Sequence, residues 1–153
     1  GAVRYLSGVL QEARIAAVTR STNTAVRFVR QGDAFTFTVH ADGNDDGIRS
    51  ADVEGGADPA IRWEDGLTRH FRDVDLGAEP GLPPVDSGGT PPGDDPVRLG
   101  ASNLLVFTPA GTATPGSLYI RGRRHQYVIR ILGETGRTRV LVFDQRQRQW
   151  RPR

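Results

Sequence analysis

The first twenty residues follow a helical pattern of apolar positions. Val3, Leu6, Leu10, Ala13 and Ala17 recur at spacings of three and four, which places them in one stripe along an α-helix. The polar and charged side chains between them fall largely off that stripe. The pattern predicts one amphipathic helix over residues 3–20, and we assign residues 1–21 to this element.

Beyond Ser21 the apolar spacing changes from the helical period to a period of two. The runs TAVRFVR (24–30) and AFTFTVHA (34–41) alternate apolar and polar side chains around a short turn containing Gly32, which is typical of an antiparallel hairpin. Shorter strand candidates follow, so residues 24–74 are assigned to β-structure. The aromatic side chains that we expect in the core are Phe35, Phe37, Trp63, Phe71 and Phe107.

Residues 75–102 interrupt the strand pattern with a segment rich in Gly, Pro and Asp. It has few apolar groups to offset the entropy of ordering, so we expect an exposed, irregular and poorly ordered loop. Four strand-like runs follow, at 103–109, 117–122, 125–132 and 137–144, and a basic tail occupies 145–153. The fold class predicted for residues 1–153 is therefore a single α+β domain. In it the N-terminal amphipathic helix packs on an antiparallel β-sheet structure built from hairpins.

Charge is distributed unevenly along the 153 residues, although the net charge is only +2. Residues 31–99 hold fifteen acids against five arginines, whereas residues 119–153 hold ten arginines against two acids. The chain has no cysteine, which excludes disulfides and thiolate metal sites. No apolar run approaches the ~20 residues that a membrane-spanning helix needs.

The acidic segment 42–58 contains the first half of a calcium-loop pattern. Asp42, Asn44 and Asp46 place oxygen donors at alternating positions before Gly47, as in an EF-hand loop. Position twelve is Val53 rather than the usual Glu, with acids on either side of it. One interpretation is a calcium site formed by Asp42, Asn44 and Asp46 with help from Asp52 or Glu54. The alternative is a plain acidic turn, because these residue types also favour turns.

The C-terminal part of the chain carries a candidate nucleic-acid surface. Guanidinium groups bind phosphates bidentately, and an aromatic ring can stack on exposed bases. The alternative is that these arginines pair with the acidic middle segment of the same or a neighbouring subunit. The candidate residues are Arg121, Arg123, Arg124, Arg137, Arg139, Arg146, Arg148 and Trp150.

No catalytic residues are predicted, and we expect the protein not to be an enzyme. The fragment Asp86-Ser87-Gly88-Gly89 is similar to part of a serine-protease signature. It lies in the Pro/Gly-rich segment, however, and such a loop does not hold a nucleophile within ~3 Å of a base. No cofactor is predicted apart from the calcium ion of the first interpretation above.

Several motifs, taken in their order, carry a family resemblance. Glu12-Ala13-Arg14 lies in the helix, DGNDDG follows the hairpin, FTPAG (107–111) comes later, and TGRTR (135–139) is near the end. This order resembles the globular part of the GspH/FimT family, the minor pseudopilins of type II secretion and minor pilins of type IV pili. The resemblance covers most of the chain but skips 75–102.

The resemblance implies a fold, a location and a set of partners. A transmembrane segment would precede residue 1 and continue into the predicted helix, so we expect this chain to be the head of a longer protein. The head would lie in the periplasm of a bacterium, anchored in the inner membrane, or at a pilus tip on the cell surface. Its partners would be other pilins or pseudopilins, contacted through the head and through part of the 3–17 apolar stripe.

Three functions follow from these observations. The first is a minor pilin or pseudopilin subunit at or near the tip of a type II secretion pseudopilus or type IV pilus. The second is DNA capture for natural transformation, because FimT-like members bind DNA and Gly136-Arg137-Thr138-Arg139 resembles their Gly-Arg-x-Arg motif. The third is a free-standing calcium-binding β domain.

Overall fold

The computed structural model describes residues 1–153, with two α-helices and ten strands. Helix α1 spans Ala2–Arg20 and helix α2 spans Ser50–Gly55. The strands are β1 (Thr24–Gln31), β2 (Ala34–Ala41), β3 (Ala60–Asp65), β4 (Asp75–Leu76), β5 (Val97–Arg98), β6 (Leu104–Phe107), β7 (Gly116–Arg121), β8 (Gln126–Ile131), β9 (Thr138–Asp144) and β10 (Gln149–Pro152). The α+β class predicted from the sequence is confirmed.

Helix α1 buries the apolar stripe that the sequence predicts. Its spacing places Val3, Leu6, Leu10, Ala13 and Ala17 on one side, and all five are buried, together with one further valine. The whole stripe faces the core of its own domain. The expectation that part of this stripe is free for neighbouring helices is therefore wrong.

The first sheet has the strand order β3-β2-β1-β6, and all its pairs are antiparallel. The predicted hairpin is confirmed as β1 and β2, which pair from Thr24 with Ala41 to Gln31 with Ala34. Gly32 in the turn has a φ of 62°. Glycine suits this position because it adopts left-handed backbone conformations without steric cost.

The second sheet has the order β10-β9-β8-β7-β4, and β5 also pairs with β7. Short turns connect β7 to β10, so these strands form a meander. Helix α1 contacts β1 and β6 of the first sheet and β8 of the second. One core cluster therefore joins the helix to both sheets, and its largest fully buried side chains include Phe28, Phe37 and Phe107.

The Pro/Gly-rich segment covers the other face of the second sheet. Leu82 is buried there with Tyr119, Val128, Leu141 and Phe143. The segment is irregular for most of its length, as predicted, but β4 and β5 pair with β7 near its two ends. The prediction of an exposed loop holds for residues 86–91, which are all exposed, but not for the parts nearer the two ends, where scattered apolar side chains pack on the sheet.

Two further positions differ from the sequence predictions. Trp63, predicted in the core, is 91% exposed because it lies on β3, at the edge of the first sheet. Phe71 is only half-buried. The tail 145–153, which has no apolar alternation, contains β10, whose backbone pairs with β9. No helix of the structure combines the length and the apolarity needed to cross a membrane.

Candidate functional site

The segment between β2 and β3 brings three carboxylates together. One oxygen from each of Asp42, Asp46 and Asp58 lies within 4.8 Å of the other two. Asp42 directly follows β2, and Asp58 lies just before β3. The antiparallel pairing of these two strands brings both ends of the segment to the same place.

Main-chain donors fix two of these carboxylates. Asp42 accepts hydrogen bonds from the N–H groups of Asn44 at 3.2 Å and Gly47 at 2.7 Å. Asp58 Oδ1 accepts from the N–H of Gly43 at 3.0 Å. A Cβ added to Gly43 would lie 1.9 Å from the Ala57 carbonyl oxygen, so this close approach of two backbones requires glycine.

The same segment contains carboxylate oxygens that no donor satisfies. Asp58 is completely buried, and its Oδ2 has no hydrogen-bond partner. Asp52 Oδ2 is also buried and unpartnered. The pKa of Asp46 is raised, first by partial loss of hydration and then by the nearby charge of Asp52, while Arg49 opposes the shift.

These positions agree only in part with the predicted calcium ligands. Asp42 and Asp46 lie in the cluster, and Asp52 lies beside Asp46. Asn44 contributes a backbone donor to Asp42, and Glu54 pairs with Arg27 at 3.3 Å. Sequence reasoning missed Asp58 because it lies beyond the span of an EF-hand loop. Its position just before a strand candidate was the available signal.

The candidate arginines lie at both ends of the second sheet. Arg121, Arg123 and Arg124 surround the β7–β8 turn. The β9–β10 turn, with Arg146 and Arg148, lies at the same end of the sheet, because β8 and β9 are antiparallel. The remaining two, Arg137 and Arg139, lie at the start of β9, which is the opposite end.

Some of these arginines have partners within the chain. Arg123 pairs with Asp73 at 3.7 Å. Arg148 donates to the carbonyl of Gly81 at 2.8 Å, and its guanidinium lies 4.8 Å from the centre of the Phe143 ring. Those that are exposed and form neither an ion pair nor a side-chain hydrogen bond are Arg121, Arg124, Arg137, Arg139 and Arg146.

Trp150 takes part in the packing of the second sheet. Its indole N–H donates to the Pro83 carbonyl at 3.1 Å. The ring centroid lies 5.1 Å from that of Phe143 and 5.9 Å from that of Tyr119. The Trp150 side chain therefore contacts both the irregular segment and the second sheet and holds them together.

A polar cluster joins α1 to the end of β3. The Tyr5 hydroxyl donates to Asp65, which also contacts His70 Nε2 at 2.7 Å and Arg62 Nη1 at 3.3 Å. Sequence reasoning did not connect these residues because they are distant along the chain. Asp86 of the protease-like fragment pairs with Arg130 at 2.6 Å rather than with a histidine.

The outer face of α1 exposes two apolar side chains near its end. Ile15 is 51% exposed and Val18 is 54% exposed, three positions apart. Gly8 and Gln11 continue the same exposed face toward the start of the helix. This face lies away from the buried stripe, so it is available to another molecule.

The fold of the chain agrees with a comparison against protein families. A long N-terminal helix packed on antiparallel sheets is consistent with the head of a pilin-like protein. Residues 2–142 match the family described as type II transport protein GspH, and the chain belongs to this family. Comparisons with curated proteins and with solved structures each gave no match.

Proposed function

We propose that this chain is the head of a minor pseudopilin that assembles at or near the tip of a type II secretion pseudopilus. The observation that carries the proposal is the match to type II transport protein GspH over residues 2–142. The head would lie in the periplasm, and a segment preceding α1 would anchor the protein in the inner membrane. Its partners would be other pseudopilins, and its role would be structural rather than enzymatic.

The outer face of α1 supports a role in assembly. Ile15 and Val18 are both more than half exposed, and they lie on one side of the helix. Neighbouring helices in a filament would remove this apolar surface from water, which favours association by roughly 25 cal/mol per Å². The inner face cannot serve this purpose, because it is already buried against the two sheets.

Replacement of Ile15 and Val18 by glutamine in the full-length protein tests the proposal. Glutamine is a good helix former, so the free energy of unfolding of the head should change by no more than roughly 0.5 kcal/mol. We expect cross-linking to other pseudopilins and secretion through the type II system to fall. The control pair Ile15→Leu and Val18→Ile keeps the apolar surface and should assemble normally. Normal secretion by the glutamine variant would contradict the proposed contact, and loss of pili with normal secretion would point to a type IV pilus.

DNA capture is a second candidate function. The observation that favours it is the set of exposed arginines without acidic partners, which includes Arg137 and Arg139 of the Gly-Arg-x-Arg motif. Arginine side chains of this kind suit phosphate oxygens, which carry no sequence information. The expected binding is therefore weak, sensitive to salt and independent of sequence.

A further inference from the structure

We propose that the segment between β2 and β3 is a calcium site, with Asp42, Asp46 and Asp58 as ligands and Asp52 as a further carboxylate beside them. The first three residues each place an oxygen within 4.8 Å of the others. They come from the two ends of the segment, so one ion would connect the end of β2 to the start of β3.

The chemistry of these oxygens favours calcium. All the ligands are carboxylates, and hard divalent cations prefer such oxygen donors. Magnesium demands near-ideal octahedral geometry and gives up its water reluctantly, so a group of protein carboxylates suits calcium better.

Unsatisfied buried oxygens provide a second, independent argument. Only three buried side-chain polar atoms of the chain lack a hydrogen-bond partner, and two of them are the Oδ2 atoms of Asp52 and Asp58. Burial of a carboxylate oxygen without a partner is costly, and such groups are rare in folded proteins. A cation bound to the cluster would supply the partner that the protein itself does not provide.

The buried ligand is held in place by hydrogen bonds of its main chain. The backbone N–H of Asp58 donates to the Asp52 carbonyl at 3.1 Å. The carbonyl of Asp58 contacts His40 Nδ1 at 2.9 Å, and His40 is itself buried. These bonds anchor the Asp58 backbone, so the site is partly organised before an ion binds, which lowers the entropy lost on binding.

Other groups near the cluster are compatible with a bound cation. Arg49 is a cationic group that acts on Asp46, and it is exposed to solvent. The carboxylates of Asp42 and Asp52 both act on Asp46 in the opposite sense. Crowded negative charges repel one another, and a divalent ion between them reverses that repulsion. The proposal does not depend on the role in secretion, so either can fail without the other.

The test is a titration of the 153-residue chain with calcium, in which binding is measured by calorimetry and stability by the melting temperature. Since calcium sites of extracellular modules bind with Kd values of about 10⁻⁴–10⁻³ M, the melting temperature should rise at about 10 mM calcium relative to excess chelator. The same concentration of magnesium should give a clearly smaller shift. Absence of a calcium-dependent shift and of binding heat would overturn the proposal, and an equal shift with magnesium would overturn the choice of ion.

Single substitutions test which carboxylates bind the ion. Asp46→Asn should raise the Kd for calcium at least about tenfold, because it removes a charged ligand. Since Asp46 is exposed, the variant should melt normally in chelator. Asp58→Asn should abolish binding, and the exposed Asp46 variant keeps the test decisive if Asp58→Asn does not fold. Asp45→Asn is the matched control, because Asp45 lies in the same segment outside the cluster. An equal loss of affinity in this control would overturn the proposed ligand set.

Discussion

Asp65 joins the long helix to the first sheet through a dense set of hydrogen bonds. Burial alone would raise the pKa of Asp65, but hydrogen bonds from the Tyr5 hydroxyl, the Gly66 N–H, His70 and Arg62 outweigh it and lower the pKa to about 2. Partial burial would lower the pKa of Arg62, but its own hydrogen bonds with Tyr5, Asp65 and Glu12 raise it. The folded protein therefore favours the ionised form of Asp65, and this preference is a contribution to stability.

The first prediction is the pH dependence of this contribution. Because the pKa of Asp65 falls from 3.8 to about 2 on folding, its stabilisation is fully present above pH 3.8 and is lost as the pH falls toward 2. The shift corresponds to about 2 kcal/mol at neutral pH. Asp65→Asn should therefore lower the free energy of unfolding at pH 7, and the difference from wild type should shrink at acidic pH. Urea denaturation at pH 7, 4 and 2.5 measures both quantities.

A control separates this effect from general acid denaturation. Asp33 is exposed in the β1–β2 turn, so Asp33→Asn removes the same charge without a comparable set of hydrogen bonds. The free energy of unfolding of Asp33→Asn should match that of wild type at every pH. A constant difference between wild type and Asp65→Asn across the pH range would contradict the assigned role of Asp65.

The irregular segment between β4 and β5 acts as a packed element although it lacks regular structure. Leu82 is 4% exposed and lies against Tyr119, Val128, Leu141 and Phe143. Neighbouring polar contacts hold the same segment in place: the indole of Trp150 donates to Pro83, and the Gln126 side chain accepts from the Glu79 N–H at 3.0 Å. The second sheet is thus covered on the face that does not contact α1.

The second prediction is that Leu82→Ala destabilises the fold as a core substitution would. Removal of a buried leucine side chain typically costs about 2–5 kcal/mol, and we expect about 2–3 here because the cluster is small. Leu132→Ala is the control, since Leu132 is 48% exposed in the β8–β9 turn and its loss should cost under about 0.5 kcal/mol. Chemical denaturation of both variants makes the comparison. If Leu82→Ala and Leu132→Ala both lost only a little stability, the irregular segment would not be packed on the sheet in solution.

The elements that could be predicted from the sequence are those with a local period. Leu6 and Leu10 repeat at helical spacing, and Phe35 and Phe37 repeat at strand spacing, so each pattern is sufficient without knowledge of distant contacts. Leu82 stands alone among glycines and prolines, and its burial depends on a sheet formed much later in the chain. The exposure of Trp63 likewise depends on β3 lying at a sheet edge, which alternation does not reveal.

The same distinction applies to the candidate calcium site. Asp42 and Asp46 lie close together in sequence and could be found from their spacing alone. Asp58 joins them only because β2 and β3 pair, so its role depends on tertiary structure. The short helix α2 also interrupts the segment, which removes the uninterrupted loop that an EF-hand pattern assumes.

At the scale of the whole molecule, the acidic and basic parts of the chain form few ion pairs with each other. Between residues 31–99 and 119–153 there are two ion pairs, Arg123 with Asp73 and Arg130 with Asp86. Exposed pairs of this kind contribute about 0–1 kcal/mol each. Ion pairs within the chain therefore leave most of the C-terminal arginines without an acidic partner. Both ends of the second sheet keep positive charge available to an external partner.

The final prediction decides whether that partner is DNA. If the head captures DNA, Arg137→Gln with Arg139→Gln should weaken duplex binding at low salt for every sequence, because no recognition helix reads the bases. The slope of log affinity against log salt concentration should become shallower by about 2, because each lost phosphate contact reduces the size of this slope by about 0.9. The control is Arg69→Gln with Arg98→Gln, which removes two exposed arginines that already pair with Glu64 and Asp95. If wild type does not retard DNA, or if the control loses as much affinity, the C-terminal arginines do not form a DNA site. Contacts with neighbouring subunits would then explain why they remain exposed, in keeping with assembly into a pseudopilus.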